Sequence, residues 1–140
     1  MGSQRQTKAV GYVRVATVDA CRWTSPIQRH RDTLIEYCAL SRLSLTHMIV
    51  DICDREGRTQ ALDLLRGGWA SVLVVPSLAQ LTRSVSELAD LIDRYFVAES
   101  SIADLVSVAD GIDTRTAEGR LALSVLLTFA RLEIGREYHA

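Results

Sequence analysis

Arg14, Ala16 and Thr17 close an apolar run, Gly11-Tyr12-Val13-Arg14-Val15-Ala16-Thr17, and set a guanidinium where a buried strand should emerge. Lys8 to Val15 reads as that strand, with Ala9, Val10, Tyr12, Val13 and Val15 in its body. Open α/β sheets bind ligands outside the carboxyl ends of their strands, so a site belongs at Arg14 to Thr17. A guanidinium there offers a rigid fork of donors that fits a phosphate or another anion, or a neighbouring carboxylate. The nearby hydroxyls are poorly placed to act with it. Thr17 is one residue on from position 16 and points to the opposite side of a strand. Ser25, ahead of Pro26, is set to cap a helix.

The elements that must position this stretch follow in order. Pro26 to about Ser41 is helical, with Ile27, His30, Leu34, Tyr37 and Cys38 at helical spacing. Leu45 to Cys53 is a second strand, and the charged, Gly57-bearing stretch Asp54 to Thr59 reads as a mobile loop. Leu62 to Gly68 is a short helix stopped by Gly67-Gly68. Ser71 to Pro76 is a third strand whose Val72-Leu73-Val74-Val75 core suits the centre of a parallel sheet. Ser84 caps an amphipathic helix carrying Val85, Leu88, Leu91, Ile92, Tyr95 and Phe96 on one face. Ser101 to Val108 is a fourth strand, and Asp110 to Arg120 is a polar connection. Alternating strands and helices imply an α/β fold, a mainly parallel sheet with helices on both faces.

Leu121 to Ile134 forms the last helix, and its apolar residues wrap around more than one face. One sheet cannot satisfy such a helix, so Leu121, Val125, Leu126, Phe129 and Leu132 are expected at a subunit interface. No helix-turn-helix, zinc finger or basic arm follows, and residues 1–140 read as one domain without a DNA-binding domain.

Composition narrows the function. At 48% hydrophobic and 24% charged residues the chain is of globular type, and no apolar run is long enough for a membrane span. The N-terminus lacks the apolar core of a signal peptide, so a cytoplasmic location is expected. Cys21, Cys38 and Cys53 form no close pair, and His30 has no second ligand at metal spacing. No metal or cofactor is implied. A formal net charge of −1 argues against strong direct DNA binding, although residues 1–70 carry +3 and residues 71–140 carry −4. Of the 16 basic residues 15 are arginines, a bias that suits anion contacts and that GC-rich coding also produces.

The opening stretch resembles the signature of the serine recombinases, the resolvase and invertase family: Tyr, apolar, Arg, apolar, Ser, then Ser or Thr. Ser25-Pro26-Ile27-Gln28-Arg29, Leu62-Asp63-Leu64-Leu65, Gly111-Ile112-Asp113-Thr114 with Gly119-Arg120-Leu121, and Ala130-Arg131-Leu132-Glu133 resemble further family segments in the right order. The resemblance implies a resolvase-like, flavodoxin-like three-layer fold ending in a dimerisation helix. It also implies a phosphate-binding set made of Arg14, Arg83, Arg58 and Gln28.

The same resemblance exposes losses. The first Ser of the family signature attacks a DNA phosphate, and here that position is Ala16, which has no atom to form a phosphoester. The family's Leu-Asp-Arg-Leu segment reads Leu78-Ala79-Gln80-Leu81, so an aspartate and an arginine are gone while Arg83 remains. The mobile-loop arginine falls at Thr59 in ungapped alignment, with Arg58 adjacent as a substitute, and a frequent glutamine is Ala20. Losing one transition-state donor costs about 3–4 kcal/mol and losing a nucleophile on the order of 10⁶ in rate, and water cannot replace the covalent link of strand exchange. Several departures together imply a naturally degenerate domain rather than a single-residue trap. The expected role is a regulatory or architectural homodimer, extending to a tetramer or pairing with an active recombinase or other DNA-bound protein. Two alternatives remain: a site-specific recombinase acting with other subunits or a substitute nucleophile, and a small-anion-binding α/β domain, against which stands the lack of a Gly-rich phosphate loop.

Overall fold

The computed structural model describes residues 6–15, 26–97 and 101–138. Strand β1 (Thr7–Val15) is followed by helix α1 (Pro26–Leu40), β2 (Leu43–Ile52), α2 (Glu56–Arg66) and β3 (Val72–Val75). A short 3₁₀ turn (Leu78–Gln80), α3 (Val85–Ile92) with a π-helical extension (Asp93–Val97), β4 (Asp104–Ser107), β5 (Ile112–Asp113) and α4 (Ala117–Tyr138) complete the chain. The sheet order is β2-β1-β3-β4-β5. β1, β2, β3 and β4 pair in parallel, and β5 pairs with β4 antiparallel. This is the flavodoxin-like order, in which the chain leaves β1 toward one edge and returns past it to β3.

Two apolar layers clothe the sheet. Leu34 and Cys38 of α1 pack on Ala9, Val13, Val72, Val74 and Val106. The opposite face of the same strands, Val10, Tyr12, Leu73, Val75 and Leu105, is covered by Ala61 and Leu65 of α2, Ala89 and Ile92 of α3, and Leu123 and Leu127 of α4. Helices therefore lie on both faces, one against three. Alternation along β1 sends successive side chains to opposite layers, which is why its apolar run has no polar interruption before Arg14.

The stretch expected to be a mobile loop at 54–59 is instead the start of α2, which begins at Glu56 and ends at Arg66. Its organiser is Asp51 at the end of β2. The Asp51 carboxylate, 5% exposed, accepts the backbone N–H groups of Gly57 at 2.8 Å and Arg58 at 3.0 Å. It thus caps the first turn from another element, where N–H groups are unpaired and a negative charge suits the helix dipole. Arg55, the residue in the N-cap position, makes no side-chain cap. Gly57 is required by this approach, since a Cβ would lie 2.4 Å from the Asp51 oxygen. The buried hydroxyl of Tyr12 donates to the other Asp51 oxygen at 2.6 Å, so β1, β2 and α2 meet on one carboxylate.

The polar connection after β4 is also more ordered than its composition suggests. Asp110-Gly111 turns the chain, with Gly111 at φ 65°, and Ile112–Asp113 returns as β5. Asp113 accepts the backbone N–H of Arg115 at 3.0 Å and its guanidinium at 2.6 Å. Burial alone would raise the Asp113 carboxyl, but these bonds outweigh it and hold the group below its ordinary pKa. Thr116 then caps α4, its hydroxyl accepting from Gly119 N at 2.9 Å. Gly119 sits against the Asp113 carbonyl, where a Cβ would come within 1.8 Å of the oxygen.

Three substitutions test this packing. Gly119→Ala should lose about 2–3 kcal/mol in a denaturant melt, because the backbone at Asp113 has nowhere to go. Gly135→Ala, with nothing within 4 Å of its added Cβ, should instead gain up to about 1 kcal/mol. For Tyr12→Phe, Asp51 loses one donor, and about 1–3 kcal/mol of stability should go at neutral pH. Burial first, then the bond to Asp51, pushes the Tyr12 hydroxyl well above its ordinary pKa. The stabilisation is therefore complete below about pH 10 and declines as pH rises toward the folded value, so the gap between wild type and Tyr12→Phe should shrink there in pH-resolved melts.

Candidate functional site

The β1–β3 ladder ends at Gly11 opposite Val74, four residues before the end of β1. Beyond it, on the β3 side, Arg14 N donates to Gln80 Oε1 at 2.6 Å, so a side chain from the 3₁₀ turn takes the place of a sheet partner. This gap between the carboxyl ends of β1 and β3 is the point where the strand order reverses, the place open α/β folds reserve for ligands. Arg14 Nε donates to the Asp54 carbonyl at 3.1 Å.

Two arginines from the start of α2 join it. Arg55 Nη1 donates to the carbonyls of Gln80 at 3.2 Å and of Leu81, while Arg58 Nη1 reaches the same Leu81 oxygen at 2.8 Å. Arg58 also forms an ion pair with Glu87 of α3. Burial, and next the neighbouring charge of Arg14, holds the Arg55 guanidinium below its ordinary pKa, with Arg58 adding to the repulsion. Three cations thus share one small region and are held by backbone carbonyls and a single carboxylate.

The sequence reading placed Arg14, Arg83, Arg58 and Gln28 in a phosphate set. The structure brings Arg14 and Arg58 to the same turn, at residues 80–81. Arg83 lies two residues beyond, exposed and without a hydrogen bond or ion pair among the described residues. Gln28 is exposed on α1 and donates to Asp32 at 2.8 Å on its own helix. Ala16, Thr17, Ala20 and Ser25 lie outside the described residues. Arg55 was missed because nothing in a charged, glycine-bearing stretch distinguishes one arginine from another until Asp51 fixes the helix start. The arrangement concentrates positive charge at the carboxyl end of β1; the Tyr12 hydroxyl beneath it is already committed to Asp51. Among the described residues no group of three or more His, Cys, Asp or Glu side chains could hold a metal ion.

A second candidate surface is α4. Leu123 and Leu127 enter the core at 0% and 5% exposure, whereas Leu121, Val125, Leu126, Phe129 and Leu132 stand 41–66% exposed. These five are the residues marked from sequence as an interface, and the helix does not fold back to bury them. Leu121, Val125 and Leu126 also line a shallow groove with Ile112 and Glu118.

Comparison with known proteins bears on the family and the fold. The resolvase N-terminal domain family matches residues 9–136. The DNA-invertase hin of Salmonella typhimurium is 32% identical over 124 residues, which is 89% of this chain and 60% of the invertase, so the chain spans less than two-thirds of that relative. Among solved structures, the N-terminal catalytic domain of TP901-1 integrase superposes with a TM-score of 0.77 at 22% identity, covering 94% of this chain and all of that one. A resolvase family site-specific recombinase from Streptococcus pneumoniae gives 0.68 at 15% identity, covering 95% and 93%. At those identities the two structures speak for the fold alone, but the family match and the invertase identity speak for descent. With β1 to α4 in the matching order and the arginines gathered at the sheet's switch point, this chain belongs to the resolvase N-terminal domain family of serine recombinases.

Proposed function

We propose that this chain is a catalytically inactive serine-recombinase domain that works as a regulatory or architectural dimerisation module in DNA recombination. The observation that carries the reading is Ala16 at the position of the nucleophilic serine. The arginines that remain can bind and orient a phosphate but cannot form the phosphoester that strand exchange requires. Gln80 supports the same reading. It stands where the family has an arginine and accepts the Arg14 backbone N–H, a neutral structural bond in place of a cation.

The exposed face of α4 supplies the partner surface: a homodimer, and by further pairing a tetramer or a mixed assembly with an active recombinase. Aliphatic and aromatic side chains on one helix face suit burial against the same face of a second copy. Direct DNA binding by these residues alone is weak, in keeping with the net charge of −1. Among the described residues no helix is long and apolar enough to cross a membrane, which is compatible with a cytoplasmic role.

The 32% identity to a DNA invertase favours a second reading, a recombinase subunit that completes a mixed tetramer whose other members carry the serine. The two readings separate on covalent chemistry. Wild-type protein mixed with supercoiled plasmid bearing the DNA around its own coding sequence should give no protein–DNA adduct on a denaturing gel; an adduct would overturn the inactive reading. Light scattering should return a dimer for wild type and a folded monomer for Leu126→Arg/Phe129→Arg. A wild-type monomer would remove the dimerisation module.

A further inference from the structure

Arg58 is the least satisfied member of the arginine group. Its Nη1 serves the Leu81 carbonyl and the Glu87 carboxylate, but its Nε is buried and has no hydrogen-bond partner among the described residues. A buried donor left without an acceptor is costly, and in a native structure it marks a place where an acceptor is missing. Arg55 stands beside it on the same turn of chain, directed at the same Leu81 oxygen.

Glu87 pairs with this guanidinium at Nη1, leaves the Nε deficit unanswered, and is not needed elsewhere. Ser84 and Glu87 have the spacing of a capping box, in which the glutamate would reach back to the N–H of the serine. Here the Thr82 hydroxyl takes that N–H at 3.0 Å, while Ser84 Oγ accepts from Glu87 N at 3.2 Å. The start of α3 is complete without the Glu87 carboxylate, which turns to Arg58 instead. Its side chain is 40% exposed, against 17% for Arg58, so it can swing into water without breaking any other bond described for that carboxylate.

We propose that Glu87 is the resident anion of an Arg55–Arg58 site, an internal carboxylate that a tetrahedral phosphate oxyanion must displace before the two arginines can hold it. The idea rests on reading these arginines as anion-binding groups left without a nucleophile. It adds two residues with stated roles: Arg55 as a receiving cation and Glu87 as a competitor. Carboxylate and phosphate both take the guanidinium fork with charge-assisted bonds, so they exclude one another. The oxyanion could be free phosphate or a phosphodiester of a nucleic-acid backbone, and the two are distinguishable by probe.

Isothermal titration with inorganic phosphate and, separately, with the dinucleotide TpT provides the test, on wild type, Glu87→Gln and Glu87→Gln/Arg55→Gln. Glu87→Gln should bind at least one probe about tenfold more tightly than wild type, and the probe that gains identifies the source of the oxyanion. Adding Arg55→Gln should abolish the gain. The Nε–Hε resonance of Arg58 should shift on titration of Glu87→Gln and stay still in wild type at the same concentration. Glu87→Ala, which removes the carboxylate without supplying an amide, should behave like Glu87→Gln and stands in for it if that variant folds poorly. Equal affinity in wild type and the Glu87 variants, absence of binding in all of them, or a gain that survives Arg55→Gln would overturn the proposal. Covalent capture of DNA by wild type would sink the inactive reading and leave these constants unmoved, so the two failures cannot be confused.

Discussion

A single buried carboxylate sets the geometry of the site. Asp51 ends β2, takes the Tyr12 hydroxyl from β1 and caps the first turn of α2. A carboxylate this far from water is tolerated only when it is well hydrogen-bonded, and here its three donors come from two other elements, β1 and α2. Once Asp51 is satisfied, the start of α2 is fixed, and with it the positions of Arg55 and Arg58 relative to the end of β1. The chemistry of the cleft is therefore a consequence of packing beneath it.

Above that support the arginine group is largely turned inward. Arg14 and Arg55 answer to backbone carbonyls, Arg58 to a carbonyl and a carboxylate, and Gln80 joins the end of β1 to the turn after β3. Gln80 is neutral, so it adds no charge to the arginine group while it ties the end of β1 to the turn after β3.

Much of the architecture is legible in the sequence. Val72 to Val75 and the run through Tyr12 have no charged interruption because the layers on both faces are apolar, and Ser84 announces α3 by a cap that the structure contains. The exposed stripe of α4 is readable as an excess of apolar residues over what one sheet can bury. The start of α2 is not legible, since its cap lies on another element and residues 54–59 carry the composition of a loop. β5 is hidden for a related reason: two residues held by one turn leave no periodic pattern. At the site, Arg14 and Arg58 are reached through motif, while Arg55 and Glu87 emerge only when separate segments are brought together.

The central place of β1 also dictates an order of assembly. Its partner on one side, β2, follows after one helix, but its partner on the other side, β3, begins at Val72. The Gln80 bond that closes the end of β1 spans 66 residues. A chain emerging from a ribosome must therefore carry a half-paired central strand until well over half of these residues have been made. Pairings of such sequence separation make the closure of loops, rather than the formation of helices, the slow step in folding.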